Sequence, residues 1–167
     1  MLNELTRPRK ILFFALIAAM LLTLAFIFSN SLRGPEASME QSNEVGGFIS
    51  VIFPPDTALG GFIDTYTRKI AHFTEYGVLG LEVAVFVTLY LHKRYQIAAM
   101  TLPGAMCIAV IDETLQYFSG RGPAISDVWI DLGGFASFSV VTYAIAALVI
   151  YAASKRRSDS SGGVKNG

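Results

Sequence analysis

Four long apolar stretches alternate with shorter polar ones along the chain. The first runs from Ile11 to Phe28 and is interrupted only by Thr23. The others run roughly from Arg68 to Leu91, from Tyr95 to Phe118 and from Asp127 to Ala153. Each is close to the ~20 residues that an α-helix needs to cross a bilayer core. None alternates with period two, and only helices or closed barrels satisfy their backbone in lipid. The pattern predicts an all-α, polytopic membrane protein with four transmembrane helices. A soluble four-helix bundle would need a polar face on every helix, and the first stretch has none. Arg7, Arg9 and Lys10 precede that stretch, as in a signal peptide. Its length, and the absence of a small-residue cleavage site at Phe26-Ile27-Phe28-Ser29-Asn30, favour a retained helix.

The segment from Ser29 to Thr67 is too long for a simple turn. Ser38 and Gln41 have the spacing of a capping box, which would start a helix there. Val45, Phe48, Ile49 and Ile52 recur at helical spacing, and Pro54-Pro55 ends the run. This predicts a short amphipathic segment on the outer surface between helices one and two; a partly ordered Gly- and Ser-containing loop is the plainer alternative. Asp56 could cap a further short turn through Phe62 and Tyr66. Pro103-Gly104 inside the third stretch is tolerated in a membrane helix and often bends it. The expected organisation is one four-helix domain over residues 1–153, then a basic, flexible cytoplasmic tail over 154–167.

Composition agrees with a membrane class. Of 167 residues, 53% are hydrophobic and 16% charged, and the mean hydropathy is +0.50. Thirteen basic and thirteen acidic residues cancel, so nothing in the net charge points to nucleic acid. Cys107 is the one cysteine; it allows no internal disulfide and reads as a small packing residue. The placement of the cations is more informative than their sum. Arg7, Arg9 and Lys10 lie before helix one, Lys93 and Arg94 after helix two, and Lys155, Arg156 and Arg157 after helix four. With four spans all three groups fall on one side, which the positive-inside rule makes cytoplasmic, with both termini. His92, beside Lys93, reads as a solvated helix-end residue on that side.

That topology gathers the polar residues into one outward layer. The start of helix two, the end of helix three and the start of helix four all lie outside. Lys69, His72, Glu75, Asp112, Glu113, Gln116, Arg121, Asp127 and Asp131 therefore share one depth. Lys69, His72 and Tyr76 lie on one helix face, Asp112 and Gln116 on another, and Asp127 and Asp131 on a third. Ser126 or Asp127 could simply cap helix four, and Trp129 suits an interfacial aromatic belt. Asp131 lies a turn deeper than a cap. Glu82, seven residues beyond Glu75, is expected to be protonated or paired. The plain alternative for the layer is mutual ion pairing that sets helix register.

At these residues the chain resembles the VanZ-like family of bacterial membrane proteins. The matching elements are Lys69-x-x-His72-Phe73-x-Glu75-Tyr76-x-x-Leu79-Gly80, then Asp112-Glu113-x-x-Gln116-x-Phe118 leading to Arg121, then Ser126-Asp127-Val128 and Gly133-Gly134. The Phe28-Ser29 exit from helix one, with Ser38 and Ser42 following, is also similar. The resemblance spans nearly everything from helix one to helix four. Asp131 departs from it, since Asn is expected there. It implies a bacterial cell-membrane protein and a link to resistance against the glycopeptide teicoplanin; it does not imply a molecular activity.

Three function classes stay open on the sequence. The first is an envelope binding protein whose outer polar layer holds an anionic ligand, such as a lipid-linked cell-wall precursor. The outward N-termini of helices two and four, near Lys69, His72 and Arg121, and the backbone of the Gly120-Arg121-Gly122 turn would favour an anion. The second is a metal-assisted membrane enzyme acting on a lipid phosphate head group. His72 would be its base or metal ligand, and Asp112 or Glu113 a further ligand or acid. The excess of acids would suit a divalent cation bridging to phosphate. No hydrolase or metalloprotease motif supports an enzyme, and no motif demands a cofactor. The third is proton-coupled transport through buried acids, which four spans without an internal repeat support least.

Overall fold

The computed structural model describes residues 5–54, 56–91, 94–122 and 124–162. The side chains at 41, 42, 49, 63–65, 94–96, 98 and 157–162 are outside that description. The described chain is helical and contains no strand. Its helices are α1 (Arg7–Ser31), α2 (Pro35–Ile52), α3 (Ala58–Tyr90), α4 (Arg94–Phe118) and α5 (Ile125–Gly162). Expectations for Pro55, His92, Lys93 and the end of the tail fall outside the described residues, as do those for the side chains of Gln41, Ile49, Arg94 and Arg157.

Three segments are long and apolar enough to cross a membrane: Arg7–Ser31, Tyr66–Tyr90 and Ile125–Arg156. α4 has 25 residues as well but is not among them. Its last turns carry Asp112, Glu113 and Gln116. Large apolar side chains cover the outside of the bundle: Leu22 is 71% exposed, Val140 65% and Leu148 67%. A surface of that kind is untenable in water and ordinary in lipid.

Helix limits differ from the hydropathy pattern at the starts of α2 and α3 and at both ends of α5. α2 begins at Pro35 rather than at Ser38, since proline suits the first helical position, where no N–H is needed. α3 is one helix from Ala58, capped by Thr57, whose hydroxyl accepts the Gly60 N–H at 3.0 Å. Asp56 is therefore not the cap, and the Phe62–Tyr66 turn is simply the first part of α3. α5 starts at Ile125 and continues to Gly162, so Lys155 and Arg156 stand on its final turns rather than in a coil. α4 continues through Pro103 without a break in the helix. Cys107 on α4 is exposed, not packed inside.

Side-chain pairs set the register of the bundle. α1 runs antiparallel to α3: the Tyr90 hydroxyl donates to the Arg9 carbonyl at 2.9 Å, Thr23 donates to Glu82 at 3.1 Å, and Asn30 donates to Glu75 at 3.0 Å. Glu82 is thus paired, as its depth required. Phe13 adds ring contacts to Tyr90 and Phe86 at 5.1 and 5.3 Å between centroids. α5 runs parallel to α3 and packs closest to it. A Cβ on Gly80 would strike the Phe135 carbonyl, one on Gly134 would strike the Phe73 carbonyl, and one on Gly77 would press on the Phe138 ring. Ser139 donates to the Gly80 carbonyl at 3.0 Å across the same seam. Lipid supplies no hydrophobic drive between helices, so small residues that let backbones touch carry the packing. Ile27, Tyr76, Leu79, Ala105, Ala109, Leu132 and Phe135 form the core between these helices.

The α3–α5 seam is open to a direct test. Gly134→Ala should lower stability by about 1–3 kcal/mol, the usual cost of overpacking. Gly104→Ala, which has nothing within 4 Å of its added Cβ, should leave it unchanged or raise it by up to about 1 kcal/mol. Thermal melts of the two variants in detergent provide the comparison.

Candidate functional site

The core face of α4 continues into the polar end of the bundle. Ala105, Ala109, Asp112 and Gln116 recur at helical spacing, and all four are buried. Whatever packs the two alanines against α3 and α5 therefore drives Asp112 and Gln116 into the same interior. α5 does the same with Leu132, Phe135 and Asp131, and α3 with His72, Tyr76 and Leu79.

Asp112 and Asp131 have no exposed surface, and His72 is 8% exposed. His72 Nδ1 lies 3.2 Å from Asp131 Oδ1 and 4.0 Å from Asp112 Oδ2. The Ser31 hydroxyl, on the last residue of α1, donates to Asp112 Oδ1. Gln116 donates to Asp112 Oδ2 at 3.4 Å and accepts from the Arg68 guanidinium at 2.6 Å. Arg68 also lies 3.8 Å from Asp127. Asp131 Oδ2 and the hydroxyl of Tyr76, a fully buried side chain, have no partner among the described residues.

Beside this cluster is a cavity of about 80 Å³ lined by Asn30, Ser31, Arg68, His72, Glu75 and Arg121, with Ser38 and Val45 contributed by α2. α2 thus closes over the polar end. The turn after α4 aims Arg121 into this space. Gly120 adopts φ 79°, the left-handed conformation that glycine takes without penalty. The Gly120 N–H reaches the Tyr117 carbonyl at 3.2 Å and the Arg121 N–H the Gln116 carbonyl at 3.0 Å. This is a Schellman ending. It returns the chain towards α1, where the Arg121 guanidinium donates to the Asn30 carbonyl at 3.1 Å. Burial, and then the like charge of Arg68, lower the pKa of Arg121, which as an arginine stays protonated.

The structure sorts the residues expected from the sequence. His72, Asp112, Gln116 and Asp131 come into one buried cluster, and Glu75 and Arg121 line the adjoining cavity. Glu113 and Asp127 stand at the edge. Glu113 accepts the Ala124 N–H at 2.9 Å, so a side chain of α4 serves the backbone just ahead of α5. Asp127 accepts from Ser126 at 3.1 Å and stands in the first turn of α5; neither it nor Ser126 precedes that helix as its cap. Lys69 is exposed and lies 5.7 Å from the Tyr66 ring centroid. Arg68, four residues before His72, takes the inward position instead.

Two expected sources of positive potential change with this geometry. α3 begins fourteen residues before His72, so its N-terminal dipole is roughly 20 Å away at 1.5 Å per residue. The N–H groups of Gly120 and Arg121 are consumed by the helix ending. Guanidinium groups, not backbone, supply the cationic character of the cavity.

Ser31, Asn30 and Arg68 were not among the residues expected from the sequence. Ser29-Asn30-Ser31 ends an apolar helix on the same side as the rest of the layer, so topology already admitted it. Helical spacing alone does not separate Arg68 from Lys69.

Apolar helices long enough to cross a bilayer, joined at one end by a buried polar cluster to which four helices contribute, define an all-helical membrane protein. A family model described as VanZ/LLP1 matches residues 12–156. The chain belongs to the VanZ/LLP1 family. No curated protein and no solved structure matches it.

Arg68 and Lys69 offer a sharp contrast. Arg68→Ala leaves the buried Gln116 carbonyl oxygen without its donor and should cost about 1–3 kcal/mol. Lys69→Ala should stay within about 0.5 kcal/mol of the parent. Unfolding in detergent by added denaturing surfactant measures both.

Proposed function

We propose that this VanZ/LLP1 protein is a four-span protein of the bacterial cell membrane whose outward-facing polar site binds the anionic group of a lipid-linked or cell-wall ligand. The observation that carries this reading is the pair of guanidinium groups, Arg68 and Arg121, lining one small cavity with His72. Two like charges are held near each other there, with Glu75 on the same wall and Asp127 3.8 Å from Arg68, and an anion between the guanidinium groups would add a partner common to both. The cavity is far smaller than the roughly 300–1,000 Å³ pockets of drug-sized ligands. It suits a phosphate or carboxylate at the end of a larger molecule. Asn30, Ser31, Ser38 and Thr67 add polar groups around it.

The orientation follows from the charge rule. Arg7 and Arg9 at the start of α1 and Lys155 and Arg156 near the end of α5 are at the bundle end opposite the cluster. Their side is cytoplasmic under the positive-inside rule, and both termini are inside. α4 supplies the fourth crossing and its polar last turns remain at the outer boundary. α2 rests on the outer surface with Phe48 and Ile52 available to lipid. The family resemblance makes glycopeptide susceptibility, teicoplanin above all, the biological readout to examine.

Reporter fusions at the C-terminus should report cytoplasm, and fusions after Gly122 should report the outside; the opposite pattern overturns the orientation. For the anion, Arg121→Lys should weaken binding of anionic lipid-linked ligand in reconstituted vesicles, because Lys keeps the charge and loses the planar fork. Full binding by Arg121→Lys, with Arg121→Ala rescued by Asp127→Asn or Glu113→Gln, would reduce Arg121 to an internal ion-pair partner.

A further inference from the structure

Among the described residues, the two fully buried carboxylates lack a matching positive charge. His72 touches both and can neutralise one at most. Arg68 is engaged with Gln116 and Asp127, and Arg121 with the Asn30 carbonyl. Unpaired charge in a low-dielectric interior is expensive. Among the described residues, Asp131 Oδ2 also has no hydrogen-bond donor, and the Tyr76 hydroxyl, one turn beyond His72 on α3, is buried without a partner. That hydroxyl lies within electrostatic reach of Asp112, Asp131, Glu75 and Glu113.

We propose that His72, Asp112 and Asp131 bind a first-row divalent cation, Zn²⁺ or Mn²⁺, in the buried cluster beside the cavity. One ligand atom from each of the three residues lies within 4.8 Å of the other two. Around a tetrahedral ion with bonds of about 2.0–2.2 Å, neighbouring ligand atoms are roughly 3.3–3.6 Å apart. The His72–Asp131 separation of 3.2 Å falls just below this range, and the His72–Asp112 separation of 4.0 Å needs a small closure. One imidazole nitrogen with two carboxylates favours Zn²⁺ over Ca²⁺ and Mg²⁺, which take oxygen shells; Mn²⁺ accepts the same mixed set and binds it more weakly. A dication with two carboxylates and a neutral imidazole has no net charge, which suits the interior. Ser31 and Gln116 would hold Asp112 in place from outside the coordination shell, as hydrogen-bonded partners of ligands do. The cation takes three protein ligands and leaves coordination positions free. This site stands on its own three residues and does not depend on an anion filling the cavity.

The test uses the full chain, purified in detergent without chelator and loaded with Zn²⁺ or Mn²⁺ alone. After desalting, elemental analysis should find about one equivalent of metal per chain, as a single three-ligand site requires. Asp131→Asn and Asp112→Asn, which keep the side-chain shape, should weaken metal affinity by roughly tenfold or more, since a carboxylate ligand is lost. Cys107→Ala should retain the metal. Added ion should also raise the melting temperature of the parent, and chelator should reverse the rise. Absence of stoichiometric binding to the parent at micromolar ion overturns the proposal, whatever the variants do. So does equal metal content in the parent and both Asn variants. Because no anionic ligand is present, failure here leaves the anion reading untouched, and failure of the anion experiment leaves this one untouched.

Discussion

Asp112 and Asp131 meet His72 without exposed surface, and this contact ties the bundle together. The three residues come from α4, α5 and α3, and Ser31 brings in the end of α1. Four helices are therefore constrained at one point. In lipid the alternative partners for these groups are few, so separating the helices would strand charge or polar atoms in the hydrocarbon. The cost is asymmetric: forming the cluster gains little over water, while breaking one half of it leaves an uncompensated buried group.

The α3–α5 seam makes this contact possible. Gly80 and Gly134 let the two backbones touch, and Ser139 ties them by a hydrogen bond. Parallel packing at that distance fixes His72 beside Asp131. α4 is held less closely, through Ala105 and Ala109, and its last turns deliver Asp112 and Gln116. α1 runs antiparallel to α3 with three polar ties along its length, at Arg9, Thr23 and Asn30. Close packing and polar anchoring thus divide the labour, and the site sits where both converge.

The cluster and the cavity are different environments a few ångströms apart. The cluster is acidic, buried and short of positive charge. The cavity is rimmed by two guanidinium groups and roofed by α2. His72 belongs to both. That arrangement sets an acidic interior beside a cavity that carries two guanidinium groups, and the membrane sharpens the contrast because neither field is screened by water on the lipid side.

The all-helical class, three of the spanning segments and the gathering of polar groups at one end were legible in the sequence. Apolar run length is set by bilayer thickness, and alternation of direction then fixes which helix ends share a level. His72, Asp112, Gln116 and Asp131 were found on that basis. Helix limits were less legible, because Pro35 and Thr57 begin helices in a stretch whose hydropathy is mixed. The choice of Arg68 over Lys69 was not legible at all. Both lie within one turn of His72, and the one that points inward depends on the rotation of α3 against α4 and α5. Gly120 is another such case: its positive φ turns Arg121 back to Asn30 and consumes the N–H groups that a bare Gly-Arg-Gly turn would offer. Depth and face follow from one-dimensional periodicity. Azimuth, and which donor is already spent, depend on neighbours distant in the chain, and those only the packed helices decide.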